Sequence, residues 1–598
     1  MDSKSAFFKS NSKTFHSKHL NLKAKLKSLA FLRVVTFITY LVILTISANY
    51  SNLTAVIIST LLFIVIFVTL VKLFNNTQFQ ANHNLFLSKI NSDELLRTKG
   101  KLDGFDPGLE FAYTEHPYHN DLDIFGNNSL FQLINRCTTF WGRKTLADWL
   151  SFKADSVEIL KRQNSIKELS ENIDWLQEFQ ATGLHNKNKS DISDFQEWLK
   201  SGTVISNITF YSVLRFLGPL VMILIFILVI LSVITYHWIF LGAVLNSLIL
   251  LSILDRVRNI HEQTTEAINS LKSFEELILL VEKGNFRSAK LRELQSVYLD
   301  NTPKVSLRIS ALNRILQNLD NRSNQIYHLF NILFLLDLHF AIQAEHWKMR
   351  QPDNINPWFD AMGEFEGLVS FAGMSFANPG YVFPEILKGN HILNAKNMGH
   401  PLIPAKSRIS NDFSINGLGS IGMITGSNMA GKSTFLRTVG VNMVLALAGG
   451  PVCAGKFGLT ISQVFSSMRT QDNLEENISS FYAELNRIRQ LLQITSDKTP
   501  VFYLLDEILK GTNSHDRHMG AISLVQQLAE ENTSGLISTH DIDLAREATE
   551  GKKVNNYSFN SKIIGDEILF DYKLTPGICE SFNASKLMKK MGIRIITE

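Results

Sequence analysis

Two stretches of this chain, residues 34–71 and 216–254, contain no Asp, Glu, Lys or Arg. A helix needs roughly 20 apolar residues to cross the hydrocarbon core of a bilayer, so each stretch has room for two short spans and a turn. In the first, Ser47-Ala48-Asn49-Tyr50-Ser51-Asn52 divides residues 34–46 from 53–71. In the second, Thr235-Tyr236-His237-Trp238 separates residues 216–234 from 239–254 and carries the aromatic side chains of a membrane interface. Buried helices of soluble proteins rarely run so far without charge. Each stretch is therefore predicted to be a transmembrane helical hairpin, which returns the chain to the side it left.

Charge sets the orientation. Residues 1–33 hold eight Lys or Arg against Asp2 alone, more than accounting for the net +4 of the 598-residue chain. A Lys/Arg excess beside a span marks the cytoplasmic side and suits anionic lipid headgroups. The expectation is a multi-pass membrane protein with its soluble domains on the cytoplasmic side and membrane lipid as a partner. Three widely separated cysteines, Cys137, Cys453 and Cys579, offer neither a disulfide framework nor a metal cluster and suit a reducing compartment.

The chemistry-bearing motifs lie towards the C-terminus. The apolar residues 421–425 run into Gly426-Ser427-Asn428-Met429-Ala430-Gly431-Lys432-Ser433-Thr434, a full phosphate-binding loop. Its glycines let backbone N–H groups turn inward around phosphate oxygens, Lys432 reaches the β and γ phosphates, and the Ser433 hydroxyl ligates Mg²⁺. A helix starting at Lys432 adds the positive end of its dipole. A second apolar strand, residues 501–505, ends in Asp506-Glu507. Carboxylates at the C-terminal end of a buried parallel strand meet the phosphate site, Asp506 for the Mg²⁺ shell and Glu507 to polarise the attacking water. A third strand, residues 535–539, delivers His540 as a sensor of the γ phosphate. The predicted catalytic residues are Lys432, Glu507 and His540, the predicted metal ligands Ser433 and Asp506, and the cofactors ATP and Mg²⁺.

Between these landmarks stand Ser479-Ser480-Phe481-Tyr482-Ala483-Glu484-Leu485, Gly511-Thr512-Asn513-Ser514 and Ser538-Thr539-His540. With the phosphate loop and Asp506-Glu507, they make the region resemble the ATPase domain of the MutS mismatch-repair family. Upstream, residues 122–131 and 135–139, then Trp149-Leu150 and Arg162-Gln163, resemble the start of that family's helical core. The resemblance covers residues 105–200 and 380–595. It implies a homodimer with composite ATP sites, in which Ser480 reaches the γ phosphate bound by the partner subunit. It also implies a nucleotide base stacked near Arg408, whose guanidinium plane stands where the family places an aromatic ring, and DNA mismatch repair with binding of mismatched DNA. In that family a mismatch-reading and a connector domain precede the core. The N-terminal residues here contain no Phe-x-Glu wedge, and the hairpins are expected in place of those domains.

The predicted fold is an α/β P-loop ATPase domain of ABC/MutS-like type at the C-terminus, preceded by an all-α core and lever domain with two transmembrane helical hairpins. The divisions are a basic cytoplasmic tail at 1–30, the first hairpin at 31–74, the first part of the core at 75–204, the second hairpin at 205–255, the second part of the core with its levers at 256–379, and the ATPase at 380–598. Amphipathic helices are expected over 262–281 and 305–319, where apolar residues recur at helical spacing.

A duplex-binding protein offers basic groups that neutralise phosphates. Outside the N-terminal tail the chain is net acidic, and its one basic cluster is Lys283, Arg287, Lys290, Arg292, Lys304, Arg308, Arg314 and Arg322, read as a solvated helix face. Two functions of other classes share parts of this pattern. An ABC-type transport ATPase would share ATPase and spans, but the chain has no Leu-Ser-Gly-Gly-Gln segment and almost no charge within its spans. A scaffold using ATP only as a dimerisation clip would have no need of Glu507.

Overall fold

The structure, a computed structural model, describes residues 3–50, 53–185, 193–203, 205, 207–265, 267–300, 302–351, 355–427, 429–469, 480–495, 499–549, 553–564 and 567–579. The first charge-free stretch lies in two antiparallel helices, Ser3–Asn49 and Leu53–Thr98. Each is far longer than a span, about 70 Å at the helical rise. The basic segment at 1–30 is thus not a separate tail, because helix Ser3–Asn49 runs through it without a break. The less exposed positions of its first half, Phe8, Ser12, Phe15, His19, Leu22, Leu26 and Leu29, recur at helical spacing, and two of them add polar contacts: Ser88 Oγ donates to Ser12 O at 2.9 Å, and His19 Nδ1 meets Ala81 O at 2.7 Å. The two helices form one hairpin. Its N-terminal end docks on helix Asn356–Ala377, where the Phe7 and Phe8 rings pack edge-on against Phe376. At its other end Glu94 takes two hydrogen bonds from buried Arg136, at 2.8 and 2.7 Å, and one from Arg97 at 3.1 Å.

The second stretch lies in helices Ile208–Ile230 and His237–Thr265. These four helices are long and apolar enough to cross a membrane. A further apolar helix, Gln325–Phe334, is turned 79° from the one that follows, Leu336–Met349. The expected helix at 305–319 is present as Val305–Asp320, and the one at 262–281 is divided between His237–Thr265 and Ala267–Lys283.

The helical core forms around Asn356–Ala377, which packs on Phe140–Ser151 and Ser156–Glu171. Glu366 is fully buried there, and its carboxylate accepts from the backbone N–H and hydroxyl of both Thr138 and Thr139.

The C-terminal region is α/β. A six-stranded sheet runs in the order Glu567–Pro576, Val554–Ile564, Ile421–Gly426, Thr533–Thr539, Val501–Asp506, Gln463–Ser467, all parallel except the first pair. The central strands Ile421–Gly426, Thr533–Thr539 and Val501–Asp506 are buried on both faces, and successive residues serve opposite sides. Leu504, Ile424 and Leu536 join the large cluster containing helix Lys432–Leu447, whereas Tyr503, Leu505, Met423 and Ile537 pack under Ser480–Thr495 and Ser514–Glu530. A second sheet, in the order Glu385–Ile386, Lys456–Leu459, Ile392–Met398, Asn411–Asn416, adjoins it. Asp121 of the core ties the two regions together. Its carboxylate accepts from Ser466 Oγ at 2.8 Å and from the N–H groups of Met468 and Arg469 at 3.2 and 3.0 Å.

Candidate active site

Strand Ile421–Gly426 is flanked by Val554–Ile564 and Thr533–Thr539, and the phosphate loop leaves its C-terminal end. The loop demands glycine at two places. Gly426 has φ 153°, and a Cβ there would lie 2.8 Å from Phe559 O. Gly431 has φ 103°, and a Cβ there would lie 3.0 Å from the Tyr572 ring. Gly431 also caps helix Lys432–Leu447, which begins at the expected residue.

The C-terminal ends of neighbouring parallel strands bring the other predicted groups to this loop. The Lys432 ammonium donates to Gly426 O at 2.9 Å and Ser427 O at 3.2 Å, and lies 3.3 Å from His540 Nε2. Glu507 Oε1 stands 2.5 Å from His540 Nε2, and its other oxygen pairs with Lys510 Nζ at 3.2 Å. Asp506 Oδ1 accepts from the Ser538 hydroxyl. Thus Lys432, Asp506, Glu507 and His540 lie together at the loop. Ser433 sits on the first turn of the helix, Met429 is exposed with φ 70°, and Ala430 is buried. Asn428 lies outside the described residues.

The electrostatics divide the labour. The hydrogen bond from His540 is the largest influence on Glu507 and, with the Lys510 charge, holds that carboxyl at about 2, well below its ordinary 4.5, against the opposing effect of burial. Burial pulls Lys432 below its ordinary value while Glu507 and Asp506 push it back up. The site therefore carries an ionised carboxylate next to a desolvated cation.

The residues present suit a nucleoside triphosphate with Mg²⁺. The two glycines clear a cradle that a Cβ would fill, and the Ser433 hydroxyl and Asp506 carboxylate are the hard oxygen donors Mg²⁺ takes. A cavity of about 230 Å³ opens beside the loop, lined by His400, Ile409, Gly431, Thr434, Phe559 and Tyr572 among others. Sequence reasoning missed it, because it collects residues from four separated segments. Tyr572 (φ 54°) brings an aromatic face over Gly431.

Arg408 does not serve as the predicted stacking group. Its guanidinium donates to Ile403 O at 2.9 and 2.7 Å, to Pro401 O at 3.3 Å and to Cys453 Sγ at 2.9 Å, so it is spent on holding the turn 399–408. Its neighbours Ser407 and Ile409 line the cavity instead.

Ser480 opens helix Ser480–Thr495, and Ser479 lies outside the described residues. One turn on, buried Glu484 accepts from the N–H groups of Leu509 and Lys510, the latter at 3.0 Å, and burial raises its carboxyl above the ordinary value. Gly511 lies against Phe481 in the same place. The segment bearing Ser480 is thereby clasped to the loop that follows Glu507, a role the sequence motif did not disclose.

The basic cluster is only partly a solvated face. Lys290 is buried between Glu158 and Glu364, at 3.2 and 2.6 Å, Arg308 donates to the carbonyls of Thr302 and Pro303, and Arg322 pairs with Asp337 at 3.2 Å. Lys283, Arg287, Arg292, Lys304 and Arg314 are exposed.

Residues 422–593 match the protein family described as MutS domain V. Over 305 residues, half of this chain, the sequence is 28% identical to a DNA mismatch repair protein MutS of Clostridioides difficile, covering 31% of that protein. A DNA mismatch repair protein MutS of Cytophaga hutchinsonii is 31% identical over 227 residues, 36% of this chain and 26% of its own length. An Endonuclease MutS2 of Lactococcus lactis is 30% identical over 197 residues, 32% of this chain and 25% of its own. The chain thus spans under a third of the length of each of these relatives. A helical region followed by mixed α/β sheets agrees with this relationship, and the C-terminal region is MutS-like.

Proposed function

We propose that this protein is a membrane-anchored, MutS-like ATPase that works as a homodimer, closing when ATP binds and opening after hydrolysis. The observation that carries the reading is the convergence of Lys432, Asp506, Glu507 and His540 on one glycine-cradled loop at the ends of adjacent strands. Lys432 supplies positive charge to the β and γ phosphates, and Ser433 and Asp506 hold Mg²⁺, which neutralises developing negative charge. Glu507 takes the proton of the attacking water, and His540 fixes the orientation of that carboxylate. The base lies in the cavity beside Tyr572, and Ser480 serves the partner subunit's nucleotide. The four long apolar helices support a multi-pass anchor, with the Lys-rich end of Ser3–Asn49 on the cytoplasmic side facing anionic lipid.

The names of the relatives favour a second reading, in which mismatched DNA regulates this ATPase. One experiment addresses both. ATP hydrolysis by the detergent-purified protein is measured without DNA and with perfect, mismatched and branched duplexes, at low and physiological salt. Mg²⁺-dependent hydrolysis is expected; its absence removes the ATPase reading. Stimulation surviving physiological salt establishes the DNA role, and hydrolysis indifferent to every duplex assigns the motor to a membrane task.

A further inference from the structure

Helix Gln325–Phe334 presents one face on which none of the described residues packs. Ile326, Leu329 and Phe330, at helical spacing, are 65%, 61% and 48% exposed. The opposite face is fixed to the protein: Tyr327 and Asn331 are buried, and Tyr327 OH donates to Asp337 Oδ1 at 2.8 Å. The helix stops at Leu335, which has no glycine's freedom yet adopts φ 52° and is fully buried. Three contacts impose this break. Asn331 Oδ1 accepts from Asp337 N at 2.8 Å. The Leu335 side chain fills the space where a Cβ on Gly218 would lie, 2.6 Å away. Asn246 Nδ2 donates to Ile332 O at 2.9 Å and Leu333 O at 3.2 Å.

The bonds from Asn246 fix the depth of the break. Asn246 lies near the middle of the charge-free part of helix His237–Thr265, about 14 Å along the helix from His237 and about 12 Å from Leu254. Non-helical backbone is tolerated at membrane depth only where its polar groups find partners within the protein, and carbonyls freed by a broken helix are such groups. A buried Asn in an otherwise apolar span is explained by this duty.

We propose that Gln325–Phe334 is a third membrane element, a re-entrant half-span whose Ile326, Leu329 and Phe330 face lies against lipid acyl chains. This rests on the reading of the second hairpin as membrane-spanning. The occupant is hydrocarbon because the face continues the exposed apolar surface of the helices it packs on, where Phe216, Leu220, Leu248 and Leu251 are also exposed. Gln325 and His328, on the flank of the helix, are exposed and polar.

The test places nitroxide labels at Leu329→Cys and, separately, Ile326→Cys in the full-length protein reconstituted in phosphatidylcholine and phosphatidylglycerol vesicles. The three native cysteines are buried, and unlabelled wild type measures any background from them. Leu224→Cys on the second hairpin and Leu160→Cys on a soluble helix are the references. Collisions with oxygen, which enriches in lipid, are expected to exceed those with a water-soluble nickel chelate several-fold at 329, 326 and 224, and the reverse at 160. Nickel-dominated labels at 329 and 326 with an oxygen-dominated label at 224 overturn the inference alone. Labels at 329 and 326 shielded from both reagents also overturn it, since a second copy then covers the face. A water-accessible 224 brings down both the hairpin reading and this one. If one substitution prevents folding, the other carries the result.

Discussion

Glu507 Oε1 lies 2.5 Å from His540 Nε2, which joins the ends of two neighbouring strands across the mouth of the phosphate loop. The carboxylate is thereby both aimed and kept ionised. Replacing Glu507 with Gln preserves shape and removes the proton acceptor. The expected outcome is a fall in kcat of about a thousandfold with ATP binding retained, read by comparing turnover with titration of a fluorescent ATP analogue.

The same pair sets a pH dependence. A carboxyl depressed from 4.5 to about 2 contributes stability that is fully present above about pH 4.5 and is lost as pH falls towards 2, and it stays ionised over that range. Hydrolysis by the wild type should not lose Glu507 as base anywhere between pH 8 and 5. In His540→Ala the largest cause of the depression is gone, so the Glu507 acid limb moves up towards the ordinary carboxylate range. An unmoved limb in the pH–rate profile would refute the coupling.

Lys432 is buried among the loop carbonyls, and its charge is matched to phosphates rather than to solvent. Lys432→Ala removes charge-assisted hydrogen bonds worth about 1.5–3 kcal/mol each. ATP affinity should drop between about tenfold and a hundredfold, measured by equilibrium titration, with turnover lost. Normal turnover in this variant removes the phosphate-loop assignment.

Tyr572 and Arg408 separate two ideas about the base. Tyr572 borders the cavity and Arg408 braces its wall. Loss of a stacking ring costs about 1–3 kcal/mol, so Tyr572→Ala should raise the KM for ATP about tenfold with little change in melting temperature. Arg408→Ala leaves the Pro401 and Ile403 carbonyls without this donor and should mainly lower the melting temperature. Thermal unfolding and KM measured together give opposite rankings for the two variants.

What could be read in advance was whatever is local. The phosphate loop, Asp506-Glu507 and His540 each follow an apolar strand directly, so motif and position were legible together. The long apolar helices were legible because charge is missing over a long run. The helix through residues 3–33 was obscured by its eight basic residues, although Phe8, Phe15, Leu22, Leu26 and Leu29 recur at helical spacing between them. The break at Leu335 has no Gly or Pro to announce it and depends on Asn246 and Gly218 from another helix. The cavity beside the loop escaped for the same reason: Ile409, Thr434, Phe559 and Tyr572 meet only after the sheet has formed.

The final prediction concerns Glu484, the link between the helix that opens with Ser480 and the loop after Glu507. Its carboxylate holds the N–H groups of Leu509 and Lys510, and Leu509 has φ 59°, a backbone state that a non-glycine residue keeps only when its surroundings insist. Glu484→Ala leaves both donors without their acceptor and frees the loop that positions Glu507 and Lys510. Lys432 and the cradle glycines belong to the phosphate loop, which leaves a different strand. Hydrolysis should therefore slow by about tenfold or more, the scale of losing one buried hydrogen-bonded partner, while ATP affinity stays within about twofold of wild type. A matching loss of affinity would instead mean that this loop holds the nucleotide itself. Glu484→Gln tells position from charge: its carbonyl keeps one of the two bonds, so its rate should fall between those of Ala and wild type.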